Sequence, residues 1–388
     1  MRATTTGSRP CHRGRAGQRN TSAAIAVCCL LLAVACSDEV PSAPGTAIDA
    51  ADPVTAVSCE TKHGITPVCG FRNPEDLAVI PGGELLLVSE MGTFLTDEPG
   101  TLSLLDIASQ QRRGIDIHWE APPAQDRWGE PECPKAQVAR FSPHGMHLMT
   151  RTDGRHQLLV VNHGDERIEF LELIGNDADW QLHWRGCATP PGDPFINDVA
   201  GLPDGGFVAT HMWNKSTPFE DLVVLLTGGE PTGWVWHWRP GDGFRRVPSS
   251  IDLMPNGITA SPDGKSIFVN IYMGNRTVRL DLESGALQGE FSVPSPDNIV
   301  FGADGWLWVA SHLNDPIEES CEEDHSGPCL LPFQVVRADP TTMAPEVVFR
   351  HEGEPMGFAT VALPHAGRIW LGTASGDRLA SIEAPGSD

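Results

Sequence analysis

A turn signature that keeps returning between short apolar runs constrains this chain most. Residues 77–80 are apolar, break at Pro81-Gly82-Gly83 and resume as the apolar run 85–88. The same grammar returns at Leu202-Pro203-Asp204-Gly205-Gly206 before Phe207-Val208 and at Ser261-Pro262-Asp263-Gly264-Lys265 before residues 266–269. Phe301-Gly302-Ala303-Asp304-Gly305 before Trp306-Leu307-Trp308-Val309 is a fourth copy. Asp-Gly and Gly-Gly between apolar runs make tight hairpins, because glycine supplies positive φ without steric cost. Looser copies stand at 146–161 and 358–371, and no long helical periodicity competes. Six copies over about 330 residues leave roughly 55 each, enough for a four-stranded sheet and its loops. The expected fold is all-β, a six-bladed β-propeller over residues 57–388. A large β-sandwich is the rival, but self-similar turns favour radial repetition.

The N-terminal segment reads differently. Arg2, Arg9, Arg13, Arg15 and Arg19 come without an acid and precede an apolar run over 23–35. That run is short for a bilayer span, which takes about 20 residues, and the layout is that of a secretory signal over 1–35. Ala33-Val34-Ala35-Cys36 has the form of a lipobox, so Cys36 is the expected lipidation site and 36–56 a flexible tether. Ordinary cleavage after Ala-x-Ala is the alternative. The chain is then an exported lipoprotein facing the periplasm or cell surface, with the outer membrane favoured by Ser37. Setting aside Cys11, Cys28, Cys29 and Cys36 leaves six of the ten cysteines, an even number that suits an oxidising compartment. Six cysteines allow 15 connectivities; Cys59 with Cys69 and Cys321 with Cys329 are near enough in sequence for two local loops, an arrangement that would leave Cys133 for Cys187. A net charge of −24 makes nucleic acid and anionic lipid poor partners, so membrane contact is expected through the anchor alone. Oligomeric state is not written in the sequence.

Glu75-Asp76, Asn197-Asp198, Asn256 and Asp297-Asn298 each stand at or beside an apolar run. In a propeller the innermost strand of every blade begins near one end of the central channel, so such positions converge on one axis. Carboxylates and side-chain amides are the hard oxygen ligands that calcium takes, six to eight at a time. A central calcium site follows. Each of these dipeptides alone is also an ordinary turn former.

In this order and spacing the chain resembles the paraoxonase/arylesterase family of calcium-dependent six-bladed propellers. The resemblance covers roughly residues 59–383. Glu75-Asp76-Leu77-Ala78-Val79-Ile80-Pro81, Phe141-Ser142-Pro143-His144-Gly145 and Leu158-Leu159-Val160-Val161-Asn162-His163 carry it. Asn197-Asp198-Val199, Pro255-Asn256-Gly257-Ile258 and Asp297-Asn298-Ile299 complete it. It implies two calcium ions. Glu75, Asn197, Asn256, Asp297 and Asn298 would hold the catalytic one, and Asp76, Asp198 and the Met146 main-chain carbonyl the structural one. His144 and His163 would form a catalytic dyad, with His312 lining the pocket. The implied activity is hydrolysis of small neutral lactones or aryl esters. A gluconolactonase-type sugar lactonase is the nearest alternative, and a non-catalytic propeller scaffold at the envelope is one of another class. Two departures stand out. Animal members bridge their first and last strands by a disulfide, whereas the last cysteine here is Cys329. Thr210-His211-Met212-Trp213 also differs from the family's loop at that place.

Overall fold

The computed structural model describes residues 57–386 apart from 94, 95, 97, 136, 177, 178 and 322–326. The expected signal segment, Cys36 and the tether lie outside the described residues. Six antiparallel sheets follow one another along the chain, spanning 74–114, 116–188, 194–246, 255–292, 296–351 and 359–383. They are the six blades of a β-propeller. Blade 2 carries a fifth strand, Asp116–His118, added in parallel to its outer edge.

The apolar runs are uninterrupted because each blade is buried on both faces. Leu85 and Leu87 pack into a cluster with Leu158 and Leu171 of blade 2, while Leu86 and Val88 turn the other way, toward Leu363 and Trp370 of blade 6. Successive strand residues face opposite sides, so a run of four apolar residues feeds two interfaces at once. Six such clusters, one between each pair of neighbouring blades, form the core. Trp238 fills the seam between blades 2 and 3 against Phe170 and Phe207.

The ring closes by strand exchange. Thr66–Cys69, from before blade 1, is the outermost strand of blade 6 and pairs antiparallel with Arg378–Glu383. Arg378 is 2% exposed and donates hydrogen bonds to the carbonyls of Val57 (3.0 Å) and Ser58 (2.9 Å). The Cys59–Cys69 disulfide ties the same segment, and Cys133–Cys187 and Cys321–Cys329 are the other two bridges. Strand pairing plus a local clamp thus closes the ring.

Candidate active site at the channel mouth

Inner strands bring the candidate residues to one end of the channel, and one local device does it in every blade. The pairing of each inner strand to its neighbour slips at Pro74/Asp76, Pro143/Met146, Ile196/Val199, Pro255/Ile258, Pro296/Ile299 and Ala359/Ala362. A bulge re-aims the side chains at its unpaired residues, and here these are Glu75, His144, Asn197, Asn256, Asp297 and Thr360. Five of the six strands begin with proline, which donates no ladder hydrogen bond and suits a strand's first position. Glycine serves where neighbouring bulges touch. A Cβ on Gly145 would stand 2.4 Å from Asp198 Oδ1, and one on Gly257 would stand 2.4 Å from the Asp297 carbonyl.

Glu75, Asn197, Asn256, Asp297 and Asn298 are all buried, at 1–7% exposure. Asn298 Nδ2 donates to Glu75 Oε1 at 2.6 Å. Glu75 Oε2 and the amide oxygens of Asn197, Asn256 and Asn298 have no hydrogen-bond partner. An unsatisfied buried oxygen costs about 1–3 kcal/mol, so four together demand a counterpart. Burial, with Asp76 and Asp297 alongside, raises the Glu75 carboxyl well above its ordinary range, and burial brings Asp297 to about 7. Hard oxygen donors, two of them carboxylates, with lone pairs left over fit a calcium ion. Among the described residues no three carboxylates, imidazoles or thiols gather into a metal cluster by themselves, so the set depends on its amides.

Asp76 and Asp198 behave differently from these ligands. Asp76 accepts from the Leu77 and Met146 amides, both at 2.7 Å, and Asp198 accepts from Val199 (2.7 Å) and Ile258 (2.8 Å). Each carboxylate therefore ties its own bulge to the next blade or its neighbour, and no unpartnered oxygen marks a second ion. Burial lifts Asp76 to about 7, and burial together with Asp76 raises Asp198 well above its usual value.

His144 is 4% exposed; its Nδ1 lies 2.8 Å from the Asn197 carbonyl. A carbonyl only accepts, so Nδ1 carries the proton and Nε2 keeps its lone pair, 3.8 Å from Glu75 Oε1. Burial, helped by His163, lowers His144 to about 3, so it is neutral rather than titrating near pH 7 as a catalytic histidine is expected to. His163 stands beside it with ring centroids 4.8 Å apart, but the pair shares no hydrogen bond. The Asn197 carbonyl, not His163, fixes the His144 tautomer. His163 is held by Glu166 at 3.2 Å, itself bound by Lys215 at 2.8 Å. Burial would raise Glu166, but His163 and Lys215 outweigh it and hold the carboxyl below its ordinary value. Asn162 Oδ1 accepts from Ser142 (3.1 Å) and Gly164 (3.0 Å), locking the two histidine-bearing segments together.

Glu75, His144, Asn197, Asn256 and Asp297 floor a cavity of about 560 Å³, whereas Asn298 and His163 are not among its lining residues. Its walls are apolar: Met212, Trp213, Leu222, Leu226, Met254 and Met273 all line it, the leucines from the helix Phe219–Thr227. His312 lies in the wall, stacked on Phe358 with ring centroids 3.8 Å apart. In the departing stretch His211 turns away to stack on Trp234, while Met212 and Trp213 face the cavity. Sequence reasoning missed Glu166, Tyr272 and Thr360. The proline that opens five inner strands was a signal that would have aligned those blades, but the sixth opens with Ala359, so nothing in the string marked Thr360.

A family model described as Arylesterase matches residues 61–379. Serum paraoxonase/arylesterase 1 of Mus musculus is 23% identical over 334 residues, covering 83% of this chain and 87% of that one. Its Homo sapiens counterpart is 24% identical over 343 residues, with coverage of 83% and 87%. Among solved structures a luciferin-regenerating enzyme aligns with a TM-score of 0.50 at 11% identity, over 82% of this chain and 94% of that one, a likeness of fold.

Proposed function

The chain belongs to the arylesterase family, and on that premise we propose that it is a calcium-dependent hydrolase of small neutral lactones and aryl esters. One observation carries the reading: Glu75, Asn197 and Asn256, each with an unpartnered buried oxygen, line one cavity with His144, whose Nε2 keeps its lone pair. Glu75, Asn197, Asn256, Asp297 and Asn298 would hold the catalytic ion. Bound there, calcium supplies Lewis acidity that lowers the cost of charge building on a carbonyl oxygen. His144 Nε2 takes a proton from water as the water oxygen bonds to the carbonyl carbon. The acyl C–O bond then breaks, and the departing oxygen takes the proton back from His144. The Asn197 carbonyl keeps the imidazole aimed throughout, and the apolar wall holds the organic part of the substrate and excludes water.

A second, structural calcium would draw on Asp76, Asp198 and the Met146 carbonyl; two buried carboxylates, the charge of Asp76 adding to the cost of ionising Asp198, support it. Export and lipidation at Cys36 complete the proposal and are tested by mass spectrometry of the mature N-terminus. Metal analysis of purified protein, then turnover of phenyl acetate and γ-lactones with and without chelator, tests the core of it. Full activity after complete metal removal overturns it.

A further inference from the structure

A bulge presents a side chain by giving up ladder pairing, so the main-chain groups it frees must find other partners once they are buried. At three of the proposed ligands the main-chain carbonyl is held by a side chain from the preceding blade of the ring. Thr360 Oγ1 of blade 6 donates to the Glu75 carbonyl at 2.6 Å, and His144 Nδ1 of blade 2 to the Asn197 carbonyl at 2.8 Å. Asn270 Nδ2 of blade 4 donates to the Asp297 carbonyl at 2.5 Å. Thr360 and His144 are bulge residues that line the cavity themselves. Asn270 is not. It lies in the second strand of its blade, Ser266–Ile271, fully buried and outside the cavity lining. Whatever it does for the site it does through Asp297.

The orientation of its amide follows from its neighbours. A carbonyl only accepts, so Nδ2 faces Asp297 and Oδ1 faces away, toward Thr277 Oγ1 at 2.6 Å. Oδ1 also only accepts, so the threonine hydroxyl donates. Thr277 is fully buried and stands directly opposite Asn270 on the next strand, Arg276–Asp281. A polar line therefore crosses three strands, from Thr277 through Asn270 to the inner strand of blade 5. It ends where Asp297 and Asn298 leave the ladder, between Pro296 and Ile299. Turned round, the amide would set its oxygen against the Asp297 carbonyl oxygen, and two acceptors repel.

We infer that Asn270, aimed by Thr277, is a positioning residue of the calcium site. By holding the Asp297 carbonyl it fixes the bulge that turns the Asp297 carboxylate and the Asn298 amide toward the ion. The inference rests on the calcium reading and adds to it two residues that touch neither metal nor substrate. Partners that orient a metal ligand from behind are worth about 10- to 100-fold in metal affinity.

The test titrates calcium-loaded protein against a chelating indicator of known affinity, which reads the calcium Kd without any turnover. The calcium concentration that gives half-maximal hydrolysis of phenyl acetate marks the ion at the cavity. Thr277→Val keeps the side chain's shape and removes the hydroxyl. It should weaken calcium by about 3- to 10-fold in both readings, the worth of one hydrogen bond. Thr277→Ser retains the hydroxyl and should keep wild-type affinity. Asn270→Leu removes the donor itself and should cost about 10- to 100-fold. Leu86→Ala, which loses packing in another seam, is the control for lost stability alone: it should melt lower and keep its calcium affinity. Wild-type affinity in Thr277→Val overturns the inference and leaves the calcium reading standing. So does weakening to the same degree in Thr277→Ser or in Leu86→Ala. A wild type that binds no calcium overturns that reading and the inference with it.

Discussion

His144 and His312 show how a backbone carbonyl decides what a histidine can do. In His144 the carbonyl takes the Nδ1 proton and leaves a lone pair facing the cavity; in His312 it takes the Nε2 proton, and the remaining lone pair is spent on Tyr272. One is therefore equipped as a base and the other as a fixed acceptor. His144→Gln should slow hydrolysis by roughly 10²–10⁴-fold while calcium content and the melting midpoint stay near wild type. Wild-type rates across substrates would move the base to a carboxylate of the ligand set. Glu166 holds His163, which shares no hydrogen bond with His144, so Glu166→Gln should leave kcat and KM close to wild type if the Asn197 carbonyl alone fixes the base. Steady-state kinetics on both variants checks the contrast. The histidines were legible in the sequence because they follow short, distinctive strings. Glu166 was not, since nothing in Asp165-Glu166-Arg167 distinguishes it from a solvated turn until the fold brings Lys215 and His163 to it.

The bulged inner strand is the element that turns a repeat into a site. The turn grammar was readable because Asp-Gly and Gly-Gly impose their conformation locally, whatever the rest of the chain does. The bulges were not, because a slip in pairing is a relation between two strands and leaves no fixed string behind. Even so, Gly145 and Gly257 sit where neighbouring bulges press together, and a methyl group at either has no room. Gly257→Ala should displace Asp297 and Asn298 and lower calcium affinity, read by isothermal titration, while circular dichroism still reports a folded propeller. Away from the channel, Leu86 is fully buried between blades 6 and 1. Leu86→Ala should cost about 2–5 kcal/mol of stability in urea unfolding without altering calcium affinity. Those opposite outcomes separate site elements from packing elements. A bulge variant that loses stability but keeps its metal would contradict the division.

At the scale of the whole molecule, the ligands lie far apart in the chain, with Glu75 and Asn298 separated by 223 residues, so only the closed ring assembles them. A calcium ion held by those ligands would bind that ring and not the unfolded chain. Raising free calcium to about 100 times its Kd should add about 2.7 kcal/mol of stability, seen as a rising melting temperature that chelator reverses. Acid should act in the opposite direction through buried histidines away from the metal. Burial, with Arg245 and Arg239 adding to it, lowers His237 to about 4 from an ordinary 6.5. Between those values the unfolded chain binds a proton that the folded one refuses, so stability is complete above about pH 6.5 and drains as pH falls toward 4. His237→Phe should flatten that decline in melting curves taken across the window.

Closure by Thr66–Cys69 on Arg378–Glu383 also sets a timetable. The first strand of the fold to leave the ribosome is among the last to find its partner, because that partner is the final strand to be made. Until then two sheet edges stand open, the arrangement from which strands pair between molecules rather than within one. No premature ring can form in this order, and truncation anywhere before residue 378 leaves the first blade and the last permanently unjoined.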